Sequence, residues 1–444
     1  MDTISRRNFV KGTAAAASAG LLIGTSKTSW AGANERVNVA VLGINGRGRS
    51  HIRGYHALEN VRVSTLCDPD ARLFDPNVRE LFTGQRISAP TVEQDIRRVL
   101  DDPDVDALSL ASPNHWHALG AIWSLQAGKH VFVEKPLTHN NFEGRQILKA
   151  AEKYGKVVTH GTQLRSNPGF QEGIKLLHDG FIGDVYMARC VCYKWRQSIG
   201  KATEGTPPQE LDWDIWQGPA QERPFYVREN GEGMYVHYDW HWTWDYGNGD
   251  IGNQGVHQLD AARWGLDVGL PYRVTSMGGM FLWDDAKEVY NVSNTSFMFK
   301  GKDGKDKMMV LDVRPWMTND ELGGRGFGVI FYGSEGYMSF PNYAGYRAYK
   351  GREGDLVQEN FDGTDLNHYK NFIDCIRADD PAGVTAPPIE GHYSSALSHY
   401  ALAGARVNRV LEIDTETEKI KDDDEANSYL TREYREPYVV PEQV

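Results

Sequence analysis

The sequence predicts an α/β protein in two parts: a mostly parallel sheet of βαβ units, then an α/β part with an open, largely antiparallel sheet. Three observations predict this. From Asn34 to about Gly161, short apolar runs alternate with longer amphipathic ones, which is the rhythm of βαβ units. After Gly161 that rhythm stops and several long strand-like runs follow, as in antiparallel sheets. The length, 444 residues, suits two or three domains.

In chain order, "VNVAVLG", "VRVSTLCD", "VDALSLASP", "HVFVEKP" and "KVVTHG" read as strands. Between them, the segment after Arg47, "EQDIRRVLDD", "HALGAIWSLQAG" and "NFEGRQILKAAEKYG" carry apolar residues at helical spacing. Gly128 and Gly155 end two of these helices. This gives a first domain over 34–162 and a second over 163–444. In the second, "NPGFQEGIKLLHDG" predicts a linking helix and "DVYMARCVCYKWR" a long strand. "IGNQGVHQLDAARWG" predicts a further helix, and "YRVTSMGGMFLW", "NTSFMFK", "KMMVLDVRPW" and "FGVIFYGSEGYMSF" predict strands. Two late helices fall near "HYKNFIDCIRAD" and "HYSSALSHYALAGARVN". The acidic tail after Glu412 either wraps another subunit or hangs loose.

Residues 1–33 read as an export signal rather than as fold. "SRRNFVK" puts Arg6 and Arg7 before Phe9, the apolar run "GTAAAASAGLLIG" follows, and "AGA" offers a small-x-small cleavage site. This is a twin-arginine pattern, and the expected destination is periplasmic or otherwise exported. The run is too short to span a bilayer, and no later stretch is apolar enough. Without these residues the chain carries 44 basic against 59 acidic side chains, a net charge of −15. That balance argues against nucleic acid as a partner. Cys67, Cys190, Cys192 and Cys375 show neither a zinc-ligand spacing nor a disulfide framework, so no metal is expected.

"VLGINGRGRSH" joins the first strand to the first helix. Gly43, Gly46 and Gly48 fall where a dinucleotide-binding turn needs small residues, with Asn45 at the second glycine position. A pyrophosphate there would rest on backbone N–H groups at a helix N-terminus. Asn tolerates the left-handed conformation better than other non-glycine residues, and Gly46 offers close approach. Asp68 ends the second strand, 25 residues after Gly43. A carboxylate there accepts both ribose hydroxyls of NAD and repels the 2′-phosphate of NADP. The expected cofactor is therefore NAD.

With these parts in place the chain resembles the Gfo/Idh/MocA oxidoreductases, named for glucose–fructose oxidoreductase, inositol dehydrogenase and rhizopine catabolism. The resemblance rests on "GINGRG", "SPNHWHA", "VEKPLTHN", "GDIGNQGVHQLD" and "VIFYGSEGYMSF", in that order. It implies an N-terminal NAD-binding Rossmann domain and a C-terminal α/β domain. The back of the latter's sheet often forms a subunit interface, so a homo-oligomer, dimer or tetramer, is implied. The resemblance puts Lys135 beside the nicotinamide and the substrate hydroxyl. Asn114 and His117 would line the nicotinamide ribose, and His257 matches the general base. Asn253 stands where the family has an aspartate, and it cannot carry that acid's charge. Glu134 is either a helix or ribose partner or a countercharge, and His115 is either a helix cap or a site residue.

Oxidising a secondary alcohol needs a hydride acceptor and a base for the hydroxyl proton. A histidine can take that proton, and a nearby ammonium stabilises the developing alkoxide. The 12 Trp and 21 Tyr suit sugar stacking as well as core packing. Trp240, in the aromatic run "YVHYDWHWTWDYG", and Asp260, Arg165 and Tyr193 are candidate substrate contacts. Three functions follow: an NAD-dependent oxidoreductase acting on a sugar, polyol or glycoside; a glycoside hydrolase or lyase using NAD transiently; or a sugar-binding protein that kept the fold.

Overall fold

A computed structural model describes residues 36–83, 88–316 and 326–444. The expected export signal lies outside the described residues. Among them, no helix is long and apolar enough to cross a membrane.

Six parallel strands build the first sheet: β1 (Val37–Leu42), β2 (Val61–Cys67), β3 (Thr91–Glu93), β4 (Ala107–Leu110), β5 (His130–Val133) and β6 (Val158–His160). Their order is β3-β2-β1-β4-β5-β6, with every pair parallel. The strands are short and almost wholly apolar because both faces are covered. The helices between them are α1 (Gly46–His56), α2 (Phe74–Leu81), α3 (Ile96–Leu100), α4 (Asn114–Gln126) and α5 (Asn141–Tyr154). The strand order reverses between β1 and β4, and a crevice opens beyond their C-terminal ends. Two elements, α2 and β3, lie beyond the sequence expectation. β3 has only three residues and its first two are exposed, too little for periodicity to register.

The second sheet has ten strands in the order β16-β15-β14-β13-β7-β12-β11-β10-β17-β18. They are β7 (Met187–Tyr193), β10 (Arg273–Gly279), β11 (Val292–Lys300), β12 (Asp306–Arg314), β13 (Phe327–Tyr332), β14 (Gly336–Phe340), β15 (Tyr346–Lys350), β16 (Asp355–Asn360), β17 (Leu411–Asp414) and β18 (Lys419–Ile420). All the pairings within it run antiparallel except β7 with β12. Three helices, α6 (Pro168–His178), α8 (Val256–Leu266) and α10 (Pro388–Val407), cover one face. Leu177, Leu259 and Leu397 pack there against Phe297 and Phe331.

Between β7 and β10 the chain makes a cap. It holds the two-stranded β8 (Ala202–Glu204) and β9 (Tyr226–Arg228), the short α7 (Trp213–Gln217), and a core of Trp216, Phe225, Tyr235 and Tyr246. Most of its aromatic rings pack on each other.

After β16 the chain returns to the first sheet. The helix α9 (Leu366–Ala378) stacks Tyr369 on Phe132, ring centroids 5.5 Å apart. The acidic tail is not loose. Tyr438 and Val440 are buried in the first domain's core beside Trp116, because aromatic anchors outweigh the tail's charge. Cys67, Cys190, Cys192 and Cys375 are all free and buried.

Candidate active site

The crevice beyond β1 and β4 continues into a cavity roofed by the cap. Gly43, Asn45, Gly46 and Arg47 form one end, with Asp68, Asn114 and His117 along it. Glu134, Lys135 and Asn253 lie on its floor, with Trp216, His237, Tyr238 and Trp240 above.

At the glycine turn, Gly43 takes φ +81°, and a Cβ there would sit 2.7 Å from the Ala111 backbone. A Cβ on Gly48 would lie 1.8 Å from the Gly43 carbonyl oxygen, so strand and helix can approach this closely only with glycine. At Gly46 a Cβ would meet nothing within 4 Å, which leaves open space on the cavity side. Asn45 occupies the N-cap position of α1 at φ −80°, in extended geometry, with no side-chain capping bond. Its tolerance of the left-handed region is therefore not used; Gly43 makes that turn. No side chain caps α1 and no acid sits in its first turn, so its leading N–H groups remain available to an anion.

Asp68 is buried, and its Oδ2 accepts the Ile44 N–H and its Oδ1 the Asp70 N–H, both at 3.0 Å. Each oxygen keeps a lone pair for a ribose hydroxyl. Burial raises its pKa, partly countered by His237 and those N–H groups. An anion seat at α1 and a carboxylate at β2 fit a dinucleotide.

Glu134 lines the cavity and is ion-paired there. Its Oε1 takes Arg47 Nε at 2.6 Å and His51 Nε2 at 3.0 Å, while Oε2 accepts the Lys135 N–H at 3.1 Å. Burial pushes its carboxyl up, but Arg47, His51 and Lys135 outweigh that and hold it well below the usual range. Burial lowers the His51 pKa against the pull of Glu134. Its Nε2–H then donates to Glu134, and Nδ1 accepts from Ser109, whose Oγ in turn accepts from Tyr55.

Lys135 follows β5 by two residues and precedes a cis peptide bond to Pro136. The Pro136 carbonyl is held by His117 Nδ1 at 2.7 Å, and His117 Nε2 lies 2.9 Å from the Ser112 carbonyl. His117 thus positions the lysine turn. The Lys135 Nζ donates to the Asn253 carbonyl at 2.7 Å and to its Oδ1 at 3.2 Å. Burial lowers its pKa to about 8 against the pull of Glu134. Asn253 lies on a π-turn, Ile251–Gly255, that leads into α8; such turns recur at functional sites.

His257 stands on α8, buried, with Nδ1 lacking a hydrogen-bond partner and its ring 5.2 Å from Tyr343. Burial and then Lys135 press its pKa well below the ordinary value. It does not line the cavity itself. Asn114 does, and its Nδ2 donates to Asn248 Oδ1 at 3.1 Å. His115 faces away, bonded to the Trp216 carbonyl at 3.0 Å, so the cap is what it serves.

Three expected substrate contacts fall elsewhere. Arg165 and Asp260 bond each other at 2.9 Å, with Ser394 and Glu390 completing the cluster. A buried guanidinium and carboxylate satisfy one another, and neither lines the cavity. Tyr193 points to the opposite face of the sheet, because side chains alternate along a strand. Cys192 faces the helices, so Tyr193 faces the other side, where it is buried beside Val191 and Ile330 and donates to Asp312 Oδ2 at 2.7 Å. Trp240 lines the cavity as expected.

The sequence reading missed Arg47, Tyr238, His237 and the pair Arg196–Asp250. Arg196 donates to both Asp250 oxygens at 2.6 to 3.1 Å, and its Nη1 to Tyr238 Oη at 2.7 Å. Arg47 stood within the glycine motif and was legible there. Arg196 and Asp250 lie 54 residues apart with no shared motif. Among the described residues, no group of three or more His, Cys, Asp or Glu is placed to hold a metal ion.

Comparison with known proteins agrees with this geometry. Residues 37–162 match the model of the oxidoreductase family's NAD-binding Rossmann fold, and 171–276 match its C-terminal alpha/beta domain. A glycosyl hydrolase family 109 protein of Shewanella pealeana is 30% identical over 175 residues, which is 34% of this chain and 38% of that protein. An alpha-N-acetylgalactosaminidase of Shewanella oneidensis is 33% identical over 126 residues, 28% of this chain and 27% of that one. The matches therefore span well under half the length of these relatives. The WlbA dehydrogenase of Bordetella pertussis, solved with NADH and UDP-GlcNAcA, shares the fold at TM-score 0.62 and 19% identity, over 85% of this chain and 99% of that one. Levoglucosan dehydrogenase, solved with NADH and levoglucosan, does so at TM-score 0.62 and 16% identity, over the same shares. With a turn, an acid and a lysine placed as such a cofactor requires, the chain belongs to the Gfo/Idh/MocA family of NAD-binding oxidoreductases.

Proposed function

We propose that this protein oxidises a secondary alcohol of a sugar, polyol or glycoside, with Lys135 taking the hydroxyl proton. One observation carries the reading. A lysine at the C-terminal end of a Rossmann strand lies in the cavity, held by two neutral oxygens of Asn253, with its pKa brought to about 8. A base poised near neutrality is the efficient one.

NAD, when bound, supplies the hydride acceptor. The chain supplies position and proton handling. Gly46 and the α1 N-terminus would hold the pyrophosphate, Asp68 the adenosine ribose, and Asn114 and His117 would flank the nicotinamide ribose. Asn253 fixes the amine of Lys135. His257, buried and with a partnerless Nδ1, lies behind the cavity and does not reach the substrate directly. Trp216, Tyr238 and Trp240 close the cavity against water and offer flat faces to sugar C–H groups.

A second reading is redox-assisted glycoside cleavage, and the names of the Shewanella relatives favour it. Oxidation at C3 would acidify the C2 proton; its loss would expel the glycosidic group from C1 as the alcohol, and water would add at C1 before C3 is reduced again, so that no NADH would accumulate. The reading also includes export by the twin-arginine signal and assembly as a homo-oligomer.

Purified protein, checked for bound NAD(H), should be offered free sugars and glycosides. Stoichiometric NADH formation with a free sugar supports net oxidation. Glycoside cleavage without net NADH supports the second reading. A protein that binds no dinucleotide overturns both.

A further inference from the structure

A second cleft, of about 620 Å³, opens beside the catalytic cavity, within the range of about 300–1,000 Å³ usual for small-molecule sites. Segments 195–201 and 228–230 line it, with Tyr238, Asp239 and Trp242. Tyr238 lines both spaces. Its hydroxyl accepts from Arg196 Nη1 at 2.7 Å and lies 3.5 Å from Asn253 Nδ2. One side chain therefore separates the cleft from the residue that holds Lys135.

The cleft joins an aromatic platform to polar groups. Trp195 is 56% exposed and stacks on Trp316, ring centroids 3.9 Å apart. Trp316 in turn meets the edge of Trp283 at 5.0 Å. The platform is thus fixed in place, and so is its backbone, because the next residue is Arg196 with its buried pair to Asp250. Across the cleft, Arg228 donates to the Met234 carbonyl at 2.9 Å and to Asp239, while its buried Nε has no partner. A rigid flat ring opposite a guanidinium and a carboxylate suits a pyranose. The ring covers the sugar's C–H face, and the polar groups take its hydroxyls.

We propose that this cleft is a subsite for a second sugar unit, so that the protein takes an oligosaccharide or a glycoside with an extended glycan. The proposal rests on the carbohydrate reading of the catalytic cavity. One unit occupies the cavity by Lys135, and the chain passes Tyr238 to place the next unit on Trp195.

Calorimetric titration of the NAD-loaded protein tests this. The probes are methyl glycosides of glucose, galactose and their N-acetylamino derivatives, each as mono-, di- and trisaccharide, with Lys135→Ala used to prevent turnover. The expected result is about tenfold tighter binding of a disaccharide than of its monosaccharide, the upper end of one aromatic contact. Adding Trp195→Ala removes that gain and leaves monosaccharide affinity within about twofold, whereas Trp195→Phe keeps most of it. If monosaccharides bind and length adds nothing, the subsite is overturned while the catalytic reading stands. If no glycan binds although NAD does, the carbohydrate reading falls and takes the subsite with it. If Trp195→Ala changes the oligomeric mass and leaves the length preference intact, the platform is a contact between copies and the proposal fails.

Discussion

Lys135 and Asn253 share two hydrogen bonds, from Nζ to the backbone carbonyl at 2.7 Å and to the side-chain Oδ1 at 3.2 Å. Neither oxygen is charged. The nearby carboxylates are committed elsewhere, Glu134 to Arg47 and Asp250 to Arg196. A buried ammonium with neutral partners loses its proton more easily, which is why Lys135 falls to about 8.

The pH profile should follow. The neutral amine is the base, so kcat/KM for alcohol oxidation rises with pH and levels off above about 8. Asn253→Asp adds an anion beside the ammonium, stabilises the protonated form and moves that limb up by about one unit or more. A limb that does not move would assign the proton to another group.

Lys135→Ala should cut kcat by about 100-fold or more while NAD stays bound, since Lys135 plays no part in the α1 anion seat or the Asp68 carboxylate. Full turnover in this variant would refute the catalytic role.

Asp68→Ser should weaken NAD binding by about tenfold or more and narrow the preference over NADP, because the ribose acceptor and the charge that repels a 2′-phosphate are both lost. Fluorescence titration with both dinucleotides reads this directly. An unchanged ratio of affinities would remove Asp68 from the ribose.

Arg196→Ala strands the Asp250 carboxylate, only 1% exposed, and should cost about 3–5 kcal/mol in urea unfolding. Adding Asp250→Asn recovers part of the loss. No recovery would mean that Arg196 stabilises through packing alone.

Replacing Arg6 and Arg7 with Lys should leave the protein in the cytoplasm in cell fractionation, with its fold unchanged. Export of that variant would show that another route carries the chain.

Much of the site was legible because its signals are local. The glycines, Asp68, Lys135 and Asn253 each lie at a strand end or helix start, where sequence order fixes what faces the crevice. His257 was implied by the family resemblance, although it sits behind the cavity rather than in it. Arg165 and Asp260 misled because polarity near a domain junction looks the same whether it faces substrate or a buried partner.

By itself the sequence determined the alternation of strands and helices, the dinucleotide turn and the acid that follows it, and the resemblance implied the lysine that follows β5. Short-range periodicity and backbone sterics encode the first three. Only the tertiary structure decided that Asn253 is Lys135's partner, 118 residues away, and that Arg196 secures Asp250. It also decided that the tail packs on Trp116 and that Tyr238 divides two cavities. Those contacts join distant segments through chain crossings, and no local pattern records which distant group will arrive.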